Sequence, residues 1–146
     1  MIITTKLEFD AGHRIPNHKS ECKNLHGHRY ILEVSISGKI IDDNTQSQYG
    51  MVLDFKDVKG LLKKTIVEAW DHAFLVFKED KEVINFLNSL PDHKTVILEK
   101  VPTAENLALI AKKILDHELA AQFGKKLTIK KLKLFETPNN WAEINT

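Results

Sequence analysis

With 146 residues, of which 42% are hydrophobic and 28% charged, the chain suits one soluble globular domain, expected to cover residues 1–146. Lys and Arg number 21 against 20 Asp and Glu, a net charge of +1 that argues against nucleic-acid binding through bulk charge. Apolar runs such as Ala73-Phe74-Leu75-Val76-Phe77 are far too short to span a bilayer, so no membrane partner is expected.

The first segment, Ile3 to His13, alternates: Ile3, Thr5, Leu7, Phe9, Ala11 and His13 share one side, and Thr4, Lys6, Glu8 and Asp10 the other. Period two marks a half-buried strand. It has neither a basic start nor an apolar core, so no secretory signal is expected. Arg14 to Leu25 is polar, contains Pro16, Asn17 and Asn24, and reads as a loop. The single cysteine, Cys22, lies in it and cannot form an intrachain disulfide; a lone thiol fits a reducing, cytoplasmic compartment. His26 to Ile36 alternates again, with His26, His28, Tyr30, Leu32, Val34 and Ile36 on one face. Three histidines thus stand at strand ends, each on the apolar side of its own strand.

Asp42 to Gly50 is turn-rich and predicts a hairpin loop or excursion. Asp54 can cap a helix to about Ala69, with Phe55, Val58, Leu61, Leu62, Thr65, Ile66 and Ala69 on its apolar stripe. Val83 to Leu90 predicts a short helix and Thr95 to Leu98 a short extended stretch. Thr103 is the expected N-cap of a longer helix, with Leu107, Ile110, Ala111, Ile114 and Leu115 inward and a stop before Gly124. Leu127 to Glu136 predicts a strand with Leu132, Leu134 and Glu136 on one face. Trp141 to Ile144 predicts a last strand after the Pro138-Asn139-Asn140 turn. Strands, then helices, then strands imply an α+β domain, an antiparallel sheet with helices on one face.

His26-Gly27-His28 is the sharpest chemical signal. Residues two apart on a strand point the same way, roughly 6.6 Å apart, and Gly27 puts no side chain between them. If the two strands pair, His13 completes a three-histidine set, which with an open fourth position is the ligand set of a catalytic zinc. An isolated His-x-His would be explained as well by hydrogen-bonded core or surface histidines. Cys22, four residues before His26, has three readings: a fourth ligand closing a structural site, a thiol activated beside a metal, or a small buried hydrophobe. Asp71-His72 is a carboxylate–imidazole pair if a turn lets adjacent residues meet. Glu136 ends an apolar strand face and needs a partner, either a ligand with two adjacent N–H donors or a neighbouring lysine. His18, His93 and His117 read as surface residues.

Several pieces, in order, resemble the 6-pyruvoyl-tetrahydropterin synthase / 6-carboxytetrahydropterin synthase family. They are Phe9-Asp10-Ala11-Gly12-His13, Cys22-Lys23-Asn24-Leu25-His26-Gly27-His28, Gly50-Met51-Val52-Leu53-Asp54-Phe55, Asp71-His72, Pro102-Thr103-Ala104-Glu105-Asn106-Leu107-Ala108 and Glu136-Thr137. The resemblance implies a tunnelling fold, an antiparallel four-stranded sheet with two helices on one face. It also implies a homo-oligomer, trimer or hexamer, with active sites between subunits. By the same resemblance His13, His26 and His28 bind zinc, Cys22 is the catalytic thiol, and Asp71 with His72 forms a second proton-transfer group. Glu136 anchors the pterin's amino-pyrimidine edge, and Glu105 and Thr103 lie near the pterin pocket. Three residues between Cys22 and His26 look like the bacterial 6-carboxytetrahydropterin synthases of the queuosine pathway. The implied reaction takes 7,8-dihydroneopterin triphosphate to 6-carboxy-5,6,7,8-tetrahydropterin, acetaldehyde and triphosphate. A pyruvoyl-type elimination and a non-catalytic zinc-stabilised assembly module are the other readings. Trp70 departs from the pattern, in which a smaller aliphatic residue commonly precedes Asp-His.

Overall fold

The computed structural model describes residues 1–146. In chain order it has strand β1 (Ile2–His13), a 3-10 turn (Glu21–Lys23), β2 (His26–Ser37), helix α1 (Phe55–Leu62) and a π-helical turn (Lys63–Val67). There follow the short α2 (Glu68–Trp70), β3 (Ala73–Phe77), α3 (Lys81–Asn88), β4 (Thr95–Leu98), α4 (Ala104–Phe123), β5 (Thr128–Thr137) and β6 (Asn140–Asn145). The excursion between β2 and α1 is closed at its neck, where Ile41 and Met51 share a backbone hydrogen bond of 2.8 Å.

All strands join one sheet in the order β4-β3-β1-β2-β5-β6. β1, β2, β5 and β6 are antiparallel neighbours, as the alternation predicts. The sheet nevertheless has six strands rather than four, and it is mixed. β3 runs parallel to β1, touching it only through Ala11–His13, and β4 runs parallel to β3. Ala73 to Phe77 lacks alternation because a strand buried on both faces has no polar side to show.

The helices form three bodies rather than two: α1 with its π turn and α2, then α3, then α4. Asp54 caps α1, its carboxylate accepting from the Lys56 N–H at 2.8 Å, and Thr103 caps α4 through the Asn106 N–H at 3.3 Å. The extra residue in the wide turn advances the buried stripe by one position. Val58, Leu61, Leu62 and Ile66 face inward as expected, but beyond the turn Trp70 is buried while Ala69 is exposed. Trp70 meets Phe9 edge to face at 5.9 Å, so the large residue before Asp71 fills the core.

Phe9, Tyr30, Leu32, Val34, Ile36, Leu132 and Leu134 pack from the sheet against α1 and α4. A second small core, Val76, Val83 and Leu87, lies under α3. The other sheet face is polar. Lys6 pairs with Glu33 at 2.9 Å and Lys133 with Glu143 at 3.2 Å. No helix is long and apolar enough to cross a membrane.

Candidate active site

The β1–β2 register runs unbroken to its end, where His13 lies opposite His26 and Ala11 opposite His28. All three imidazoles therefore occupy the helix-covered face at one end of the sheet. Their ring centroids lie 4.6 to 5.1 Å apart, and one nitrogen from each falls within 4.8 Å of the others. Cys22 is not part of that group of ligand atoms.

Hydrogen bonds orient two of the rings. The His13 Nδ1–H donates to the Pro102 carbonyl at 2.7 Å, and the His26 Nδ1–H donates to the Asn24 carbonyl at 2.8 Å. Each bond leaves the opposite ring nitrogen with a free lone pair. His13 is 1% exposed and its Nε2 has no hydrogen-bond partner. Burial, more than any other cause, pushes the His13 and His28 pKa values below the ordinary histidine value, a shift that favours the neutral ring in each. An orphaned buried nitrogen within a triad of imidazoles fits a borderline-soft divalent cation.

Glu136 reaches the same place from β5, where the pairing with β6 is irregular between Phe135 and Thr137. Its Oε1 lies 3.6 Å from His13 Nε2 and 4.0 Å from His28 Nε2. The lysine partner considered from sequence is absent, because Lys133 pairs with Glu143 on the polar face. Cys22 sits in the 3-10 turn of the loop, half-buried. Cys22, His13, Thr103, Glu105, Glu136 and Trp141 line one cleft of ≈ 230 Å³. Thr103 and Glu105 belong to the first turn of α4, and Thr103 spends its hydroxyl on the cap.

Asp71 and His72 lie elsewhere in the chain's surface. The His72 Nδ1–H donates to Asp71 Oδ2 at 2.8 Å, an adjacency made possible by His72 at φ 56°. The turn is tied to β1 twice: the Asp10 N–H donates to Asp71 Oδ1 at 2.9 Å, and the His72 N–H to the Asp10 carbonyl at 2.6 Å. Lys94 Nζ donates to the carbonyls of Glu68 and Asp71 at 2.8 and 2.6 Å. The Asp10 N–H, then the His72 ring, hold the Asp71 carboxyl below the usual carboxylate range. His72 lines a second cleft, ≈ 490 Å³, with Asp10, Gly12, Gly27, His28 and Arg29. The histidine cluster stands between the two clefts, with His13 opening to the first and His28 to the second.

Sequence reasoning passed over two features. Trp141 and Asn140 line the Cys22 cleft, and position alone gave no sign of it. Arg14 and Asp80 form a bidentate ion pair, both contacts 2.6 Å, across 66 residues. Neither residue lies in a motif that names its partner.

A family model described as 6-pyruvoyl tetrahydropterin synthase matches residues 2–146. The chain is 40% identical over 141 residues to the 6-carboxy-5,6,7,8-tetrahydropterin synthase of Rickettsia bellii, with 97% of each chain covered. Identity to the enzyme of that name from Haemophilus influenzae is 33% over 144 residues, covering 97% of this chain and 96% of that one. The fold is similar to the crystal structure of 6-pyruvoyl tetrahydropterin synthase from Plasmodium vivax, with a TM-score of 0.71 and 21% identity, over 100% of this chain and 98% of that one.

Proposed function

The chain belongs to the 6-pyruvoyl tetrahydropterin synthase family, and from that premise we propose that it is a zinc-dependent carbon–carbon lyase. Its substrate is 7,8-dihydroneopterin triphosphate, and its products are 6-carboxy-5,6,7,8-tetrahydropterin, acetaldehyde and triphosphate. The reaction serves queuosine and 7-deazaguanine synthesis in the cytoplasm. Two relatives named for the carboxy product, each matched over nearly the whole chain, favour this branch over pyruvoyl formation. The observation that carries the reading is the meeting of Glu136 with the unpartnered nitrogen of His13 in the cleft that also holds Cys22.

His13, His26 and His28 are the residues to hold the zinc ion. When bound, zinc supplies Lewis acidity to the substrate's side-chain hydroxyls and to a carbonyl forming from them. Glu136 accepts two N–H bonds from the amino-pyrimidine edge and fixes the pterin ring, with Glu105 and Thr103 beside it. Cys22 as thiolate takes and returns a proton at the substrate side chain. The Asp71 carboxylate orients the His72 ring through Nδ1, leaving Nε2 to serve as the complementary acid or base.

Cys22 and His72 open into different clefts of one chain, and an assembly reconciles them. β1 pairs with β3 only through Ala11–His13, so the outer edge of Ile2–Asp10 is unpaired, as is the outer edge of β6. β1 runs toward the histidine end and β6 runs away from it, so β6 of one copy laid along β1 of the next continues the antiparallel order. That join brings one copy's Asn140–Trp141 end, with its Cys22 cleft, beside the next copy's Asp10 and Asp71–His72 turn. Repetition of one such heterologous contact closes a ring when the rotation between copies is a whole fraction of a turn.

The test is incubation of the zinc-loaded protein with dihydroneopterin triphosphate and mass analysis of both fragments. Acetaldehyde with the 6-carboxy pterin is the expected result. A 6-pyruvoyl product would move the chain to the eliminating branch, and unreacted substrate would refute the proposal.

A further inference from the structure

We propose that Arg14 and Asp80 are a positioning pair that fixes the Cys22 thiol against the histidine cluster. This deepens the reaction proposed above and rests on it for the role of Cys22. Asp80 is 6% exposed. It occupies the N-cap position of α3, yet its side chain makes no cap hydrogen bond. Both of its oxygens accept instead from Arg14, one from Nε and one from Nη2. A carboxylate taken out of water in this way is held by geometry, and a buried pair of this kind is suited to specifying an arrangement.

What the pair arranges follows from the backbone beside it. Arg14 is the first residue beyond β1 and follows His13 directly. The next residue, Ile15, donates its N–H to the Cys22 carbonyl at 2.7 Å, closing the neck of the loop. At the far end of the loop the Asn24 carbonyl accepts from His26 Nδ1. The Cys22 turn is therefore suspended between the two histidine-bearing strands, and one of its two attachments stands one residue from Arg14. Asp80 anchors that attachment to α3 and the Val76, Val83 and Leu87 core, separate from the main core. Without the pair, the loop keeps its histidine tether but loses its fixed footing on the other side. The thiol then samples positions displaced from the cleft, a loss of orientation rather than of chemistry.

The test compares the native zinc-loaded full chain with D80N and R14K, reading zinc per chain, alkylation of Cys22 by iodoacetamide, and kcat and KM separately. Cys22 is the single cysteine, so one mass shift reports one site. Expected for D80N is full zinc occupancy, an alkylation rate changed by about 10-fold, kcat lowered by about 10- to 100-fold, and KM within about 3-fold. R14K keeps the charge but replaces the two-nitrogen fork by a single ammonium nitrogen, and should fall between D80N and native protein. An unchanged alkylation rate in zinc-loaded D80N would overturn the proposal, as would loss of stability with kcat intact. Should D80N fail to fold, R14K is judged by the same two criteria. Alkylation needs no substrate, so the positioning result stands or falls apart from the reaction assigned to the enzyme.

Discussion

His13 shows how much one residue's surroundings decide. Its Nδ1–H is committed to the Pro102 carbonyl, its ring is buried, and its second nitrogen is left facing Glu136 and two other imidazoles. Asp80 is the acidic counterpart, a buried carboxylate with both oxygens committed. The Arg14 hydrogen bonds hold its pKa below the ordinary 3.8. A folded-state value below the unfolded one means that the unfolded chain takes up the proton more readily. The stabilisation is therefore complete above the unfolded-state value and is lost as pH falls through the folded one. D80N should be less stable than native protein near neutrality by about 3 kcal/mol in urea unfolding. The gap should narrow as the pH falls from about 5 through the ordinary carboxyl value and below it, because acid removes from the native protein what the variant already lacks. Both proteins are measured with a chelator present, which makes histidine titration common to both. A gap that stays constant across that range would mean the Asp80 charge contributes nothing.

At the scale of elements, the β1–β2 hairpin makes the histidine cluster, and its spacing depends on Gly27. A Cβ there would stand 2.8 Å from the Ala11 carbonyl oxygen, a backbone atom that cannot turn aside. G27A should push the strands apart where His13 faces His26, costing about 1–3 kcal/mol in stability. Zinc affinity should fall by about 10-fold or more, read by competition with a chelating dye, since the ligand atoms must converge closely. G60A is the control. A Cβ at Gly60 meets nothing within 4 Å, and inside α1 the change should stabilise by about 0.5–1 kcal/mol with zinc affinity untouched. The hairpin was also the most legible part of the fold. Alternation put His13, His26 and His28 on one face of each strand, and the residue-by-residue register then made them meet. β3 was illegible for the opposite reason, because five apolar residues in a row carry no period. The extra residue of the π turn moved the buried position from Ala69 to Trp70, which a regular helical stripe cannot anticipate. Glu136 announced that it needed a partner, and alternation with the buried Leu132 and Leu134 already put it on the core face; that imidazoles rather than a lysine await it there follows from the pairing of β1, β2 and β5, which no single strand's pattern shows. Asp71 and His72 meet in a turn where His72 adopts a positive φ, and nothing in an Asp-His dipeptide requires that turn.

For the whole molecule the question is whether one chain can hold a complete site. A single copy separates Cys22 and Glu136 from His72 into two clefts on either side of the histidine cluster. In the assembly proposed above, the antiparallel continuation from β6 to β1 of the next copy would join the two clefts at each seam. C22A and H72A should each be inactive alone, while both keep zinc because neither residue is among the clustered ligands. When the two variants are unfolded together in equal amounts and refolded, some seams will bring an intact Cys22 from one copy to an intact His72 from the next. With random assembly each seam draws both intact partners by two independent one-half chances, so activity should return to about one quarter of native. A site contained in one chain predicts none, since every chain in the mixture carries one of the two lesions. Activity measured against the mixing ratio should peak at equal amounts and vanish at both ends. A mixture that stays inactive while its zinc content and assembled mass match the native protein would place the whole reaction within a single chain.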